Sequence, residues 1–212
     1  LDDIKTFIKN QDSIDFFLLQ EIDVRARRSH NMNEVEEISS LFENTYSVFA
    51  KNYHCQFVPV PVYEPLGYVK GGMLTFSDFP IDEAERHAYP LIASWPNKLF
   101  LLDRCFILTR FPLENGKDLV LLNTHNSAYV TDSILRVKEL KILKDKMLEE
   151  YAKGNFVIAG GDWNANPPNF KPQGNYNGHK FFESEVRMAE KTFPKEWKWA
   201  YDDKAPTNRQ NY

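Results

Sequence analysis

The sequence predicts an α/β or α+β fold built on mixed β-sheet, and three observations predict it. Apolar runs of strand length, at 16–19, 119–122 and 156–159, alternate with stretches patterned at three and four residues. Strand-helix-strand order occurs together with hairpin signals, which is the mixture such folds show. Hydrophobic residues make up 42% and aromatic residues 14% of the 212 positions, enough to core one large domain.

Each element follows from local pattern. Leu1, Ile4 and Ile8 recur at helical spacing, with Asp2 and Asp3 in the first turn and Asn10 as a stop, so a helix is expected over 1–10. A strand over 15–20 leads into an Arg-rich loop. A second helix is expected over about 32–44, with Asn31 or Asn33 near its cap. Strands are expected at about 46–51, 55–60, 71–77 and 81–87, then a loop punctuated by Pro90 and Pro96. Strands at about 102–110 and 118–124 flank Glu114-Asn115-Gly116-Lys117, because Asn-Gly favours the primed hairpin turns. The helix over 132–153 is the clearest element. Thr131, Asp132 or Ser133 caps it, Leu140, Leu143, Met147, Leu148 and Tyr151 form its apolar stripe, and Gly154 ends it. A strand over 155–160 follows. The Pro-, Asn- and Gly-rich stretch 166–178 reads as loop and 181–191 as a short helix. Trp197, Trp199 and Tyr201 alternate as on a strand, and packing on the core is the preferred reading over a platform for an aromatic substrate.

Charge and cysteine content exclude several classes. The net charge of −4 gives no global basic field of the kind a strong non-specific nucleic-acid binder carries. A local basic cluster remains in Arg25, Arg27 and Arg28. Lys138, Lys141, Lys144 and Lys146, interleaved with Glu139, Asp145, Glu149 and Glu150, read as a solvated helix face. Cys55 and Cys105 lie in apolar strand-like runs, which implies buried thiols rather than a disulfide framework, and no zinc-ligand spacing is present. No run of about 18 apolar residues occurs, so no transmembrane helix is expected. The chain reads as a soluble monomer; the compartment is left open, secreted or periplasmic included.

The chemistry-bearing residues collect at strand ends, where α/β sheets gather ligands. One apolar run ends in Glu21. Another ends in Asn123-Thr124-His125. A third passes through Gly160-Gly161 into Asp162-Trp163-Asn164. Taken singly these are a solvated acid, a loop histidine and an Asx turn. Taken together, acids with a histidine and an amide at successive strand ends suit metal-assisted phosphoryl chemistry.

Leu19-Gln20-Glu21, Asn123-Thr124-His125 and Gly161-Asp162-Trp163-Asn164, in that order, resemble the signatures of the endonuclease/exonuclease/phosphatase superfamily. Its members include pancreatic deoxyribonuclease, abasic-site endonucleases, deadenylases, neutral sphingomyelinases and inositol polyphosphate 5-phosphatases. The segment from Gly71 to Ser77, with Phe79-Pro80-Ile81, resembles the family's central strand, and Asp23 with the following arginines resembles bacterial members. The resemblance implies a four-layer α/β/β/α sandwich, two mixed β-sheets flanked by helices, with the site at one end of the sheets. It implies Glu21 as the ligand of Mg²⁺ (or Mn²⁺), an ion that needs only one or two carboxylates beside substrate phosphate and water. It implies His125 as the residue that protonates the leaving oxygen or steadies phosphoryl charge, Asp162 as the carboxylate that orients or deprotonates the attacking water, and Asn164 as the amide that holds a phosphate oxygen. Glu64, in Tyr63-Glu64-Pro65-Leu66-Gly67, resembles the glutamate that holds the catalytic histidine in deoxyribonucleases; the plain alternative is a solvated acid before a turn. Arg25 is the candidate for touching the substrate's phosphate. The family's opening strand with its asparagine and its late Ser-Asp-His segment are not in these 212 residues, so the expectation is one such domain, 1–212, cut from a longer protein.

Two function classes follow. One is a Mg²⁺-dependent hydrolase of phosphodiester or phosphomonoester bonds, with nucleic acid, a phospholipid head group or an inositol phosphate as substrate. The other is a non-catalytic binding module that kept the fold. A nucleotide-binding α/β protein is set aside, because Gly160-Gly161 belongs to no G-x-G-x-x-G or P-loop pattern.

Overall fold

A computed structural model describes residues 1–11, 13–42, 45–91, 95, 97–128, 133–168, 175–176, 179–180 and 193–201. The order is α1 (Asp2–Lys9), β1 (Phe16–Asp23), α2 (Glu34–Ser39), β2 (Tyr46–Val58), β3 (Gly67–Ser77), β4 (Glu83–Ala88), β5 (Cys105–Pro112), β6 (Asp118–His125), α3 (Ser133–Ala152) and β7 (Phe156–Asp162). A short antiparallel pair, β8 (Asn175–Tyr176) and β9 (His179–Lys180), follows.

Two sheets form the centre. One has the order β1-β3-β2 and is antiparallel throughout. The other has the order β4-β5-β6-β7, antiparallel except for the parallel pair β6–β7, whose crossover is α3. Side-chain alternation sorts the layers. Leu74 and Phe76 of β3 face outward and pack with Ile8 of α1 and Ile38 of α2. Phe106, Leu108, Val120 and Leu122 face outward on the second sheet and pack with Leu143 and Met147 of α3. Between the sheets, Met73 and Ala50 meet Cys105 and Ile107. The result is the α/β/β/α sandwich with helices on both outer faces.

Several local expectations change. The second helix is only Glu34–Ser39. The strands expected at 46–51 and 55–60 are one long β2, with register shifts between Lys51 and Tyr53 and between Cys55 and Val58. The stretch expected as loop, 166–178, contains β8. Trp197 and Trp199 do not lie on a strand, yet they do pack: Trp197 joins the α3 cluster, and Trp199 meets the Trp163 ring edge-on. The helix expected at 181–191 lies outside the described residues, as do the cap candidates Thr131 and Asp132. The hairpin turn forms at Asn-Gly but is not a primed one: Gly116 is left-handed at φ 74° while Asn115 is not. Gly116 N–H donates to Leu113 O at 3.0 Å and Leu113 N–H to Lys117 O at 2.8 Å, which is a type I turn closed by a glycine bulge.

The α3 surface is not uniformly solvated. Glu139 and Glu150 are fully buried, each on a long-range partner, whereas Lys141 pairs with Asp145 at the surface. Both cysteines are free and buried, and burial pushes the Cys105 thiol up to about 11. Among the described residues no helix is long and apolar enough to cross a membrane.

Candidate active site

The antiparallel order within the first sheet and the parallel β6–β7 pair bring the C-terminal ends of β1, β6 and β7 to one end of the sandwich. A side-chain bridge fixes the two sheets there. Asn123, fully buried on the inner face of β6, donates through Nδ2 to Leu19 O at 3.3 Å, Leu74 O at 3.2 Å and Thr75 Oγ1 at 3.3 Å. Its Oδ1 accepts from Gln20 Nε2 at 2.7 Å. One amide thus ties β6 to both β1 and β3, and Glu21 follows directly after the tied residue.

Glu21 sits on a bulge. The β1–β3 register shifts between Leu19 and Ile22, and Glu21 has φ 60°. A non-glycine residue there costs roughly 1–2 kcal/mol, and such strain gathers at functional positions. The bulge turns the Glu21 side chain out of the sheet, 73% exposed, toward the open end of the site. The chain beyond is held rigidly: Arg28 grips the buried Asp23 through two bonds of 2.8 Å, and Asp23 N–H donates to Glu34 at 2.7 Å. The Asp23 carboxylate in turn holds the Arg28 guanidinium above its ordinary pKa.

His125 and Asp162 are register partners at the ends of β6 and β7. His125 Nε2 lies 3.7 Å from Asp162 Oδ2 and 4.0 Å from Glu21 Oε1. The ring is 2% exposed, and its Nδ1 has no hydrogen-bond partner among the described residues. Burial, with Arg104 nearby adding to it, pushes the imidazole down to about 3. Neither carboxylate is within hydrogen-bonding reach to offset that, so the ring is neutral at pH 7. Gly161 makes the β6–β7 approach possible: its φ is 122°, and a Cβ there would stand 2.2 Å from Thr124 O. Behind the ring, Thr124 Oγ1 donates to Asn126 Oδ1 at 2.6 Å, so the Tyr89 hydroxyl, 2.7 Å away, is the donor to Thr124.

Asp162 and Asn164 form the Asx turn and the site edge at once. Asn164 N–H donates to Asp162 Oδ1 at 3.0 Å, with Asn164 left-handed at φ 46°. Asn164 Nδ2 donates to Asn126 O at 2.8 Å, and Asn126 N–H donates to Asp162 O at 2.8 Å. The loops leaving β6 and β7 are therefore laced together.

The structure brings Glu21, His125, Asp162 and Asn164 together. It does not bring Glu64 to the histidine. Glu64 stands exposed in the 61–64 turn, its N–H donating to Pro61 O at 3.1 Å, and its carboxylate makes no hydrogen bond or ion pair among the described residues. Arg25 is exposed just past β1, left-handed at φ 55°, with its N–H on Met32 O at 2.7 Å. The sequence marks Asn123 only through the Asn-Thr-His string, reads Glu139 as part of a solvated face although it is buried behind the site, and gives no signal for Arg136.

As for a metal, no group of three or more His, Cys, Asp or Glu among the described residues encloses an ion. The donors that are present are hard oxygens, an exposed carboxylate on Glu21 with a second on Asp162 near it. That set fits Mg²⁺, which keeps several waters and takes one or two protein carboxylates beside substrate phosphate.

Two packed sheets flanked by helices, with acids, a histidine and an Asx turn at one end, define the class of α/β/β/α sandwiches with a strand-end site. The model of the Endonuclease/Exonuclease/phosphatase family matches residues 1–209, and the chain belongs to that family. Among solved structures it is similar to a humanized D. rerio TDP2, with 16% identity over 77% of this chain and 54% of that one and a TM-score of 0.54. It is similar to ANGEL2, a 2′,3′-cyclic phosphatase, with 15% identity over 80% and 44% and a TM-score of 0.56. The human Nocturnin catalytic domain with bound sulfate matches at 15% identity over 78% and 58%, with a TM-score of 0.52. The chain spans about half the length of these structures. No curated protein sequence matches it.

Proposed function

We propose that the protein is a Mg²⁺-dependent hydrolase of phosphodiester bonds. The observation that carries this is the convergence of Glu21, His125 and Asp162, from three strands and both sheets, to within 4.0 Å of one ring nitrogen. Glu21 would hold the ion, which when bound supplies charge neutralisation at the phosphoryl oxygens. Asp162 orients the attacking water and accepts its proton. Neutral His125 presents Nε2 to the phosphoryl or leaving oxygen, where an N–H donor offsets developing charge in a water-poor setting. Arg25 supplies a substrate-facing cation from the exposed loop. In the described geometry the Asn164 amide nitrogen serves Asn126 O, so its contact with a phosphate oxygen requires the turn to adjust on binding.

A diester rather than a monoester is favoured by the likeness to ANGEL2, a 2′,3′-cyclic phosphatase also solved with adenosine-2′,3′-vanadate. A nucleic-acid phosphoester is accordingly the first substrate class to test. The test is release of nitrophenol from bis-(p-nitrophenyl) phosphate and nicking of plasmid DNA by the full-length protein, with Mg²⁺ and with EDTA. Mg²⁺-dependent turnover on either, lost in Asp162→Ala and His125→Ala, is expected. Turnover that survives both substitutions would remove the site, and Mg²⁺ binding without turnover on either substrate would move the substrate to a lipid or inositol head group. Neither binding nor turnover would favour a non-catalytic module.

A further inference from the structure

Behind the candidate site, the N-terminal half of α3 carries two buried charges that the chemistry above does not use. Arg136 is 3% exposed and Glu139 is fully buried. Three residues apart, they share a helix face. Glu139 accepts from Ser127 twice, from its N–H at 2.8 Å and its Oγ at 2.7 Å. Ser127 is two residues past His125. Arg136 Nη1 donates to Asn164 O at 3.2 Å, and its Nε and Nη2 are buried with no partner among the described residues. One helix face therefore reaches both exits, that of β6 after His125 and that of β7 after Asp162. The two exits are already bonded to each other through Asn126 and Asn164.

The energetics are those of a residue not kept for stability. A guanidinium taken out of water with two donors unpaired is costly, and an apolar side chain of similar size is commonly as stable or more so. A single bond from a long, rigid fork to the main chain of the Asx turn does something an apolar residue cannot: it sets where that turn lies. Since the turn aims the Asp162 carboxylate, its placement is worth far more to a reaction than to folding.

We propose that Arg136 and Glu139 are positioning residues, a clamp from α3 that fixes the Asp162–Asn164 turn against the His125 exit loop. The proposal rests on the phosphodiesterase reading for its consequence in catalysis, but not for the clamp itself. Arg136→Met should keep or raise Tm, because it removes a buried guanidinium with two donors unpartnered among the described residues, while lowering kcat by roughly 10- to 100-fold with KM changed little. Arg136→Lys, which keeps the charge and loses the fork, should fall between Met and wild type. Glu139→Gln, which keeps one acceptor for Ser127, should lower kcat with a smaller effect. A merely structural role predicts the reverse for Arg136→Met, a fall in Tm with kcat of the folded fraction unchanged, and that result would overturn the proposal. The clamp is also read without activity. Amide exchange at Asn164, measured against core amides of β6, should quicken about tenfold or more in Arg136→Met. Unchanged exchange overturns the clamp, even if the wild-type protein proves active. Quickened exchange in a wild-type protein that hydrolyses nothing keeps the clamp and discards only the catalytic reading.

Discussion

At the residue scale, the protonation of His125 is decided by burial. Its pKa falls from the ordinary 6.5 to about 3 in the folded chain. Between those values the unfolded state binds a proton that the folded state does not, so the associated stability is full above pH 6.5 and is lost as pH falls toward 3. The expected slope is at most about 1.4 kcal/mol per pH unit in that window. Urea unfolding from pH 3 to 7 should show one proton fewer in His125→Gln than in wild type; identical slopes would mean that the ring is not a buried neutral group. Gly161 offers a second test at this scale. Gly161→Ala places a Cβ 2.2 Å from Thr124 O at φ 122°, so it should cost about 3 kcal/mol or more by urea midpoint. Because the distortion falls on the Thr124–Gly161 pair, one residue before His125 and Asp162, activity should drop further than stability does.

At the element scale, α3 is anchored at its far end by charge rather than by its apolar stripe alone. Glu150 accepts from Arg110 of β5 through two bonds of 2.7 and 2.8 Å, and Lys153 and Asn155 add to it. Those donors hold the Glu150 carboxyl well below the usual range, so its contribution is full at neutral pH and declines as pH drops below the unfolded carboxylate value. Glu150→Ala strands Arg110 beside the sheet, though Glu83 at 2.8 Å still pairs with it, so a loss near the low end of about 3–5 kcal/mol is expected. Thermal unfolding checks it, and Arg110→Met added to Glu150→Leu should restore most of the loss. No change in Glu150→Ala would mean that the bridge contributes nothing. The repeat of Glu and Lys along α3 was legible as a helix but not as two buried acids. Period places a residue on a face; it does not say which face meets a loop or a strand from elsewhere in the chain.

At the scale of the molecule, the site exists because two sheets are held in register. Asn123 is the tie, with four bonds to β1, β3 and Gln20. Asn123→Ala should cost roughly 1–3 kcal/mol by leaving Gln20 and the buried carbonyls unpaired. It should also abolish turnover while leaving far-ultraviolet circular dichroism intact; full turnover would mean that the sheets do not need this bridge. Mg²⁺ should bind the full-length protein by calorimetry and bind more weakly in Glu21→Gln; equal affinity would remove Glu21 as a ligand. The sequence by itself determined most of the strand and helix order and which polar residues close the strands, because pleat, helical period and turn residues act over a few positions. Its division of the 46–60 stretch into two strands failed, since pairing with β3 across a register shift is a long-range effect. Only the tertiary structure decided that Glu21, His125 and Asp162 meet and that Glu64 does not. It alone buried the imidazole, which pushes its pKa down, and placed Arg136 and Glu139 behind the turn. Those facts depend on solvent exclusion and on partners up to about a hundred residues apart in the chain, which local pattern does not carry.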